Sequence, residues 1–272
     1  MNFPPEIRNQ IYGYLFLPQR VEMKRIKAST TTTKPTKDKN KSKTIKHDYH
    51  RLVSRLLAPR DLKTQILLGP ARDRKTQTQL NLPFVCKQSY NDTLCLLYAC
   101  TQFKFTSPKC VSRFLWKTPV PALAAVNHIE LVHTMYNEPT LTKFRDIKLR
   151  ADKGWYELCE RISLTLKALE VVHVNMAIHS GPIELEVGES WSQPILALGR
   201  GKVNGGTGGA LRFVRVILRS DRVEAQKLFD VGKELERELM NPVAMQIRED
   251  ERLAREMQGL QKAREGLRLT FE

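Results

Sequence analysis

From residue 108 onward the chain repeats one pattern, a helix-compatible stretch followed by a short apolar strand run. The runs are HIELVH (128–133), LEVVHVNMAI (169–178) and ALRFVRVIL (210–218), preceded by helix-compatible segments near 108–117, 152–167 and 190–198. A spacing of about 40 residues leaves room for one crossover helix per strand, so successive strands can lie parallel in one sheet. The pattern predicts an α+β fold with an α/β-like tail, built on a small, mainly parallel sheet of three to five strands. The best-defined helix is 152–167, where Trp155, Leu158, Ile162 and Leu166 share a face and Asp152 is placed to cap. Asp221 and Glu224 have capping-box spacing ahead of the stripe Leu228, Val231, Leu235 and Leu239, and Asn241-Pro242 both ends that helix and starts another. Between Arg248 and Glu265 ten of eighteen residues are charged, which predicts a long exposed C-terminal helix with a thin stripe of Leu253, Met257 and Leu260.

The N-terminal third has a different composition. Pro4 and Pro5 suit a first helical turn, Glu6 follows near the positive end of the helix dipole, and Phe3, Ile7, Ile11 and Leu15 recur every four residues. A helix this short must dock its apolar face on something. Residues 20–51 then carry eleven Lys/Arg against three Asp/Glu, half of the chain's net charge of +16, and almost no apolar residues lie between Ala28 and Thr44. Such a segment buries too little surface to offset its ordering entropy, so residues 20–79 read as a basic, largely disordered insertion, with a short helix near 49–58. Apolar periodicity returns at 85–98 as a helix, and Phe103 and Phe105 alternate with polar neighbours as a strand. The organisation expected is a helical part formed by 1–19 with 80–106, the insertion, a helix–strand part over 107–220 and C-terminal helices over 221–272.

Chemistry-bearing motifs are weak throughout. The Gly-rich loop at 199–211 has Val203 after Lys202 and runs into a strand, the reverse of a phosphate-binding loop. Cys86, Cys95, Cys100 and Cys110 lack the close pairs of a zinc site and read as small buried side chains of a reducing compartment. His128 and His133 differ by five on one strand and so face opposite sides; His173 and His179 share a face only if the strand runs past Ile178. GESWS (188–192) lacks the glycine and the elbow of a strained nucleophile, and Glu184, Glu186 and Glu189 read as a solvated edge. These patterns predict no enzyme, no cofactor and no metal. Glu6 and Arg8 interrupt any signal-peptide core, and the longest apolar stretch, Pro119–Val132, contains Asn127, His128 and Glu130. The expectation is a chain of the cytoplasm or nucleus without membrane contact. The positive balance favours polyanions. An alternative function is therefore that of a basic nuclear protein that binds nucleic acid non-specifically through Lys34, Lys37, Lys39, Lys41, Lys43 and Lys46, although no aromatics interleave the run.

Two stretches together point further. FPPEIRNQIYGYLF (3–16) resembles the opening of F-box and fungal F-box-like domains, and LPFVCKQSYNDTLCLLYACTQFKF (82–105) resembles a block of uncharacterised fungal proteins that share that opening. The resemblance covers about 40 residues, and the later helix–strand rhythm is similar to a degenerate leucine-rich-like tail. It implies a non-catalytic protein–protein interaction module: Pro4, Glu6, Ile7, Ile11 and Leu15 would dock on a Skp-type adaptor of a cullin–RING ubiquitin ligase, and the remainder would present a surface to a target.

Overall fold

The computed structural model describes residues 4–16, 18–35, 42–57, 86–136, 144–179, 185–200 and 211–269. Among these, eight helices and six strands form a mixed α+β architecture around one mainly parallel sheet. The helices are α1 (Pro5–Leu15), α2 (Lys87–Ala99), α3 (Pro108–Lys117), α4 (Val120–Ala125), α5 (Arg145–Thr165), α6 (Gln193–Arg200), α7 (Ala225–Leu239) and α8 (Pro242–Leu269). The strands are β1 (Gln19–Pro35), β2 (Ser42–Leu57), β3 (Thr101–Phe105), β4 (His128–Met135), β5 (Val171–Ile178) and β6 (Phe213–Arg219), in the order β2-β1-β3-β4-β5-β6. Every pairing from β1 to β6 is parallel, and only β2 runs against its neighbour. No helix of the described residues is long and apolar enough to cross a membrane.

The sheet is larger than expected because the basic segment belongs to it. Residues 19–35 and 42–57 form a long antiparallel hairpin, and Gln19–Met23 pair in parallel with Thr101–Phe105. This corrects two expectations, the looped-out insertion and the short helix at 49–58. Both rested on the scarcity of apolar residues. Backbone pairing and the β-branched run Thr30 to Thr33 carry the ribbon instead, and Val21 and Met23 key its base into the core. Residues 36–41 and 58–85 lie outside the described residues, and so does the Gly-rich loop from 201 to 210.

Register sorts the sheet into two chemically distinct faces. One carries Val21, Phe103, Ile129, Val172 and Val214 in a row, and next to it Met23, Phe105, Leu131, Val174 and Val216. Helix α3 closes this face by setting Phe114 against Phe103 and Phe105, with ring centroids 4.9 and 5.1 Å apart. Helix α5 closes it further on, where Trp155 stacks on His133 at 4.4 Å and Leu158, Cys159 and Ile162 are buried beside it. The periodic stripes read from the sequence, Trp155 to Leu166 and Leu228 to Leu239, are core.

Helix boundaries differ in detail. Asp152 lies inside α5, and its Oδ1 accepts the Tyr136 N–H at 3.2 Å rather than capping. Helix α7 begins at Ala225 with Glu224 as N-cap and no side-chain cap bond, so Asp221 closes no capping box. Asn241 does cap α8, its Oδ1 accepting the Val243 N–H at 2.9 Å.

Candidate functional site

The residues singled out by the docking motif sit on α1 and its N-cap, and those whose side chains are described, Pro4, Glu6, Ile7 and Ile11, lie on the outside. Pro4 is the N-cap residue, Pro5 occupies the first turn and Glu6 is exposed beside it. Ile7 and Ile11 are each 42% exposed, and Tyr14, one turn further on, is 82% exposed. These three follow i, i+4, i+7 spacing and make one apolar row on the outer face of the helix. Leu15 closes α1, but its side chain, like Phe3, lies outside the described residues. The inner face is supplied by residues the four-residue spacing did not select. Phe16 is buried, Tyr12 is half-buried, and Arg8 Nη1 donates to Asp92 Oδ2 on α2. The opening segment and the 86–105 segment therefore meet as expected, through α1 against α2, but β1 and β2 from the chain between them belong to the sheet.

The basic residues of the alternative reading fall on the hairpin. Lys34 and Lys43 are directly paired across it, and Lys46 pairs with Thr31. Lys37, Lys39 and Lys41 lie outside the described residues.

A third group was not visible in the sequence. The second face of the sheet carries the rows Arg20, Gln102, His128, Val171, Phe213 and Glu22, Lys104, Glu130, His173, Arg215. Arg20 and Glu130 form an ion pair across two strands, with both side chains about 95% buried. Glu22 takes Lys24 at 2.8 Å and Lys104 at 3.1 Å. Burial opposes ionisation of Glu22, but the hydrogen bonds from these two lysines outweigh it and hold the carboxyl below its ordinary range. His128 stacks on His173 at 5.2 Å; burial first, then the neighbouring His173 and Arg20 charges, push its pKa down to about 3. His128 is therefore neutral at physiological pH. Its Nε2, with Arg20 Nε and Gln102 Oε1 in the same row, finds no hydrogen-bond partner.

This row joins a histidine to an acid, but it does so at the N-terminal ends of the strands. Ligand sites of open parallel sheets form at the carboxyl ends. Arg20 holds Glu130, so the pair acts as a tie between β1 and β4. His133, on the opposite face as expected, packs on Trp155 and is pushed down to about 4 by burial.

The remaining candidates resolve into structure. Ser192 Oγ donates to Glu189 O and accepts the Gly188 N–H, fixing the turn that leads into α6, and Glu189 accepts the Trp191 indole N–H at 2.8 Å. Cys110 and Cys159 are buried, Cys95 and Cys100 are half-buried, and Cys86 departs from expectation by being exposed at the start of α2. Among the described residues no three His, Cys, Asp or Glu side chains are placed to hold a metal ion.

No curated protein and no solved structure matches the chain. Residues 1–196, well over half of its length, match the model of a domain of unknown function, DUF7730, and the chain belongs to that family.

Proposed function

We propose that this protein is a non-catalytic interaction module that docks a protein partner on the outer face of α1. The observation that carries this reading is the row Ile7, Ile11 and Tyr14, apolar and exposed on a helix whose opposite side is already anchored by Arg8 and Phe16. Large apolar side chains in a row on one helix are the usual anchors of a helix-mediated contact. The F-box-like opening supports a Skp-type adaptor as that partner and a substrate-receptor role in a cullin–RING ligase, working in the cytoplasm or nucleus. The helix would present the row from an α1–α2 pair tied to the sheet through β1, in place of a self-contained helical domain.

The test is direct binding of the purified full chain to a purified Skp-type adaptor. Ile7→Asp with Ile11→Asp places two charges in the proposed contact and is expected to weaken binding at least about tenfold, roughly 1.4 kcal/mol or more. Because both positions are exposed, the melting temperature should hardly move. No association of the wild-type chain with the adaptor removes the receptor role; association unaffected by the double substitution removes α1 as the docking element.

A further inference from the structure

The sheet has one face covered by its crossover helices and one that they leave free. Each step from β1 through β3, β4 and β5 to β6 moves one strand in the same direction, and right-handed crossovers then place every intervening helix on one side. Helices α3 and α5 pack there through Phe114 and Trp155. On the other face Arg248 of α8 lies over the Phe213 ring at the start of β6, 4.8 Å from its centroid. Beyond Phe213 that face opens. Arg215 and Arg219 are exposed, Ile217 between them is 36% exposed, and their register partners on β5, His173, Asn175 and Ala177, are half-buried. Charge divides the face in two. Its described acids, Glu22 and Glu130, stand on β1 and β4 and are engaged by Lys24, Lys104 and Arg20. The β5 and β6 columns contribute no acid, and Arg215 and Arg219 make no ion pair or hydrogen bond among the described residues.

We propose that the open face of β5 and β6 binds an acidic, extended segment of a protein partner, with carboxylates on Arg215 and Arg219 and an apolar side chain on Ile217 between them. Alternate residues on one face of a strand stand about 6.6 Å apart, and alternate residues of an extended peptide have the same repeat. The column Arg215, Ile217, Arg219 therefore selects the pattern acid-x-apolar-x-acid. Arginine suits this role because its planar guanidinium takes a carboxylate through two parallel hydrogen bonds. The short side chains of Asn175 and Ala177 keep the neighbouring column low, so that peptide backbone can lie beside the arginines. Charged side chains on an outer strand also discourage pairing with other chains, and that role sets no spacing on a ligand. No residue of α1 takes part, so this site and adaptor docking can fail separately.

The experiment measures anisotropy of a labelled peptide of about ten residues titrated with the full chain at about 50 mM salt, where exposed charges are little screened. The peptide carries two glutamates four residues apart with a leucine midway between them. A second peptide of the same composition carries the glutamates side by side, and a DNA duplex of about 20 base pairs is the third probe. The patterned peptide is expected to bind at least about tenfold more tightly than its permutation. Arg215→Gln with Arg219→Gln should lower its affinity about tenfold, and Ile217→Ser about threefold. Lys227→Gln with Arg237→Gln removes the same charge from exposed positions of α7 and should change affinity less than about twofold. Melting temperatures of the variants show that the sheet persists. No binding of the patterned peptide at about 1 mM, equal binding of the two peptides, equal losses from the two double variants, or binding of the DNA alone would each overturn the proposal.

Discussion

Replacing Glu236 by alanine is expected to lower stability by roughly 3–5 kcal/mol, with a fall in melting temperature on the order of 10 °C. The size follows from what this one carboxylate does at the free edge of the sheet. β6 is the last strand of the sheet, and its outer edge presents the Val216 N–H and the Val214 carbonyl with no further strand among the described residues to pair them. Glu236 Oε1 accepts the Val216 N–H at 2.9 Å, and Arg248 Nη1 donates to Val214 O at 2.9 Å. The other Glu236 oxygen holds Arg248 Nη2 at 2.9 Å and Lys233 Nζ at 2.8 Å. Two side chains, from α7 and α8, thus supply two of the hydrogen bonds that a seventh strand would make, and Glu236 does so while 2% exposed.

Alanine leaves a buried donor and two cations without their acceptor, which costs far more than the pair itself contributes. Glutamine keeps an oxygen for Val216 but loses the charge, so Glu236→Gln is expected to fall between alanine and wild type. Gly232 reports on the same contact: a Cβ there would meet Val216 O at 3.2 Å, so Gly232→Ala should lift α7 from the edge and destabilise by about 1–2 kcal/mol. Urea midpoints of the three variants provide the measurement. An alanine variant within about 0.5 kcal/mol of wild type would show that the edge is satisfied in some other way.

The parts of this fold that were legible in the sequence are those held by apolar periodicity. β4, β5, β6 and the stripes of α5 and α7 each announce themselves because one face is buried, and a buried face imposes period 2 or 3.6 on the residues that fill it. The hairpin had no such mark. Among its described side chains only Val21, Met23 and Leu52, all near its base, reach the core, and Thr30 to Thr33 were its one local signal. On α1 the four-residue spacing picked out Ile7 and Ile11, which lie on the exposed face, and missed the residues that anchor the helix. The anchoring residues Arg8, Tyr12 and Phe16 are also four apart, and an arginine that reaches Asp92, 84 residues away, gives no sign of this in the sequence. The polar row is still less visible, because Arg20 and Glu130 are 110 residues apart and become neighbours only once β3 is laid between their strands. Spacing rules see contacts within an element, and these contacts exist only between elements.

Acidification should unfold this protein earlier than carboxylate titration alone would. His128 and His133 are both buried on β4, one on each face of the sheet, with pKa values held at about 3 and about 4 against an ordinary 6.5. For His128 the cause is burial together with the His173 and Arg20 charges; Glu130, next on the same face, is already engaged by Arg20. For His133 it is burial against the Trp155 ring. Depressed histidines stabilise the fold fully above the unfolded value, where both states are neutral. Below it the unfolded chain takes up protons that the native state refuses, so stability falls as pH drops from 6.5 toward 4 and 3. At about pH 5 each histidine should have lost the protein about 2 kcal/mol, and the pair about 4. Glu22, whose carboxyl is held low by Lys24 and Lys104, adds its own loss only at more acidic pH. Thermal melts at about pH 7.5 and pH 5 should therefore differ by around 10 °C in the wild-type chain. His133→Phe retains the stack on Trp155 and removes one titrating group, so it should remove about half of that difference; His128→Gln together with His133→Phe should remove most of it. A wild-type melting temperature that is flat across this range, or a double variant as acid-sensitive as the wild type, would mean that these histidines are protonated inside the folded sheet.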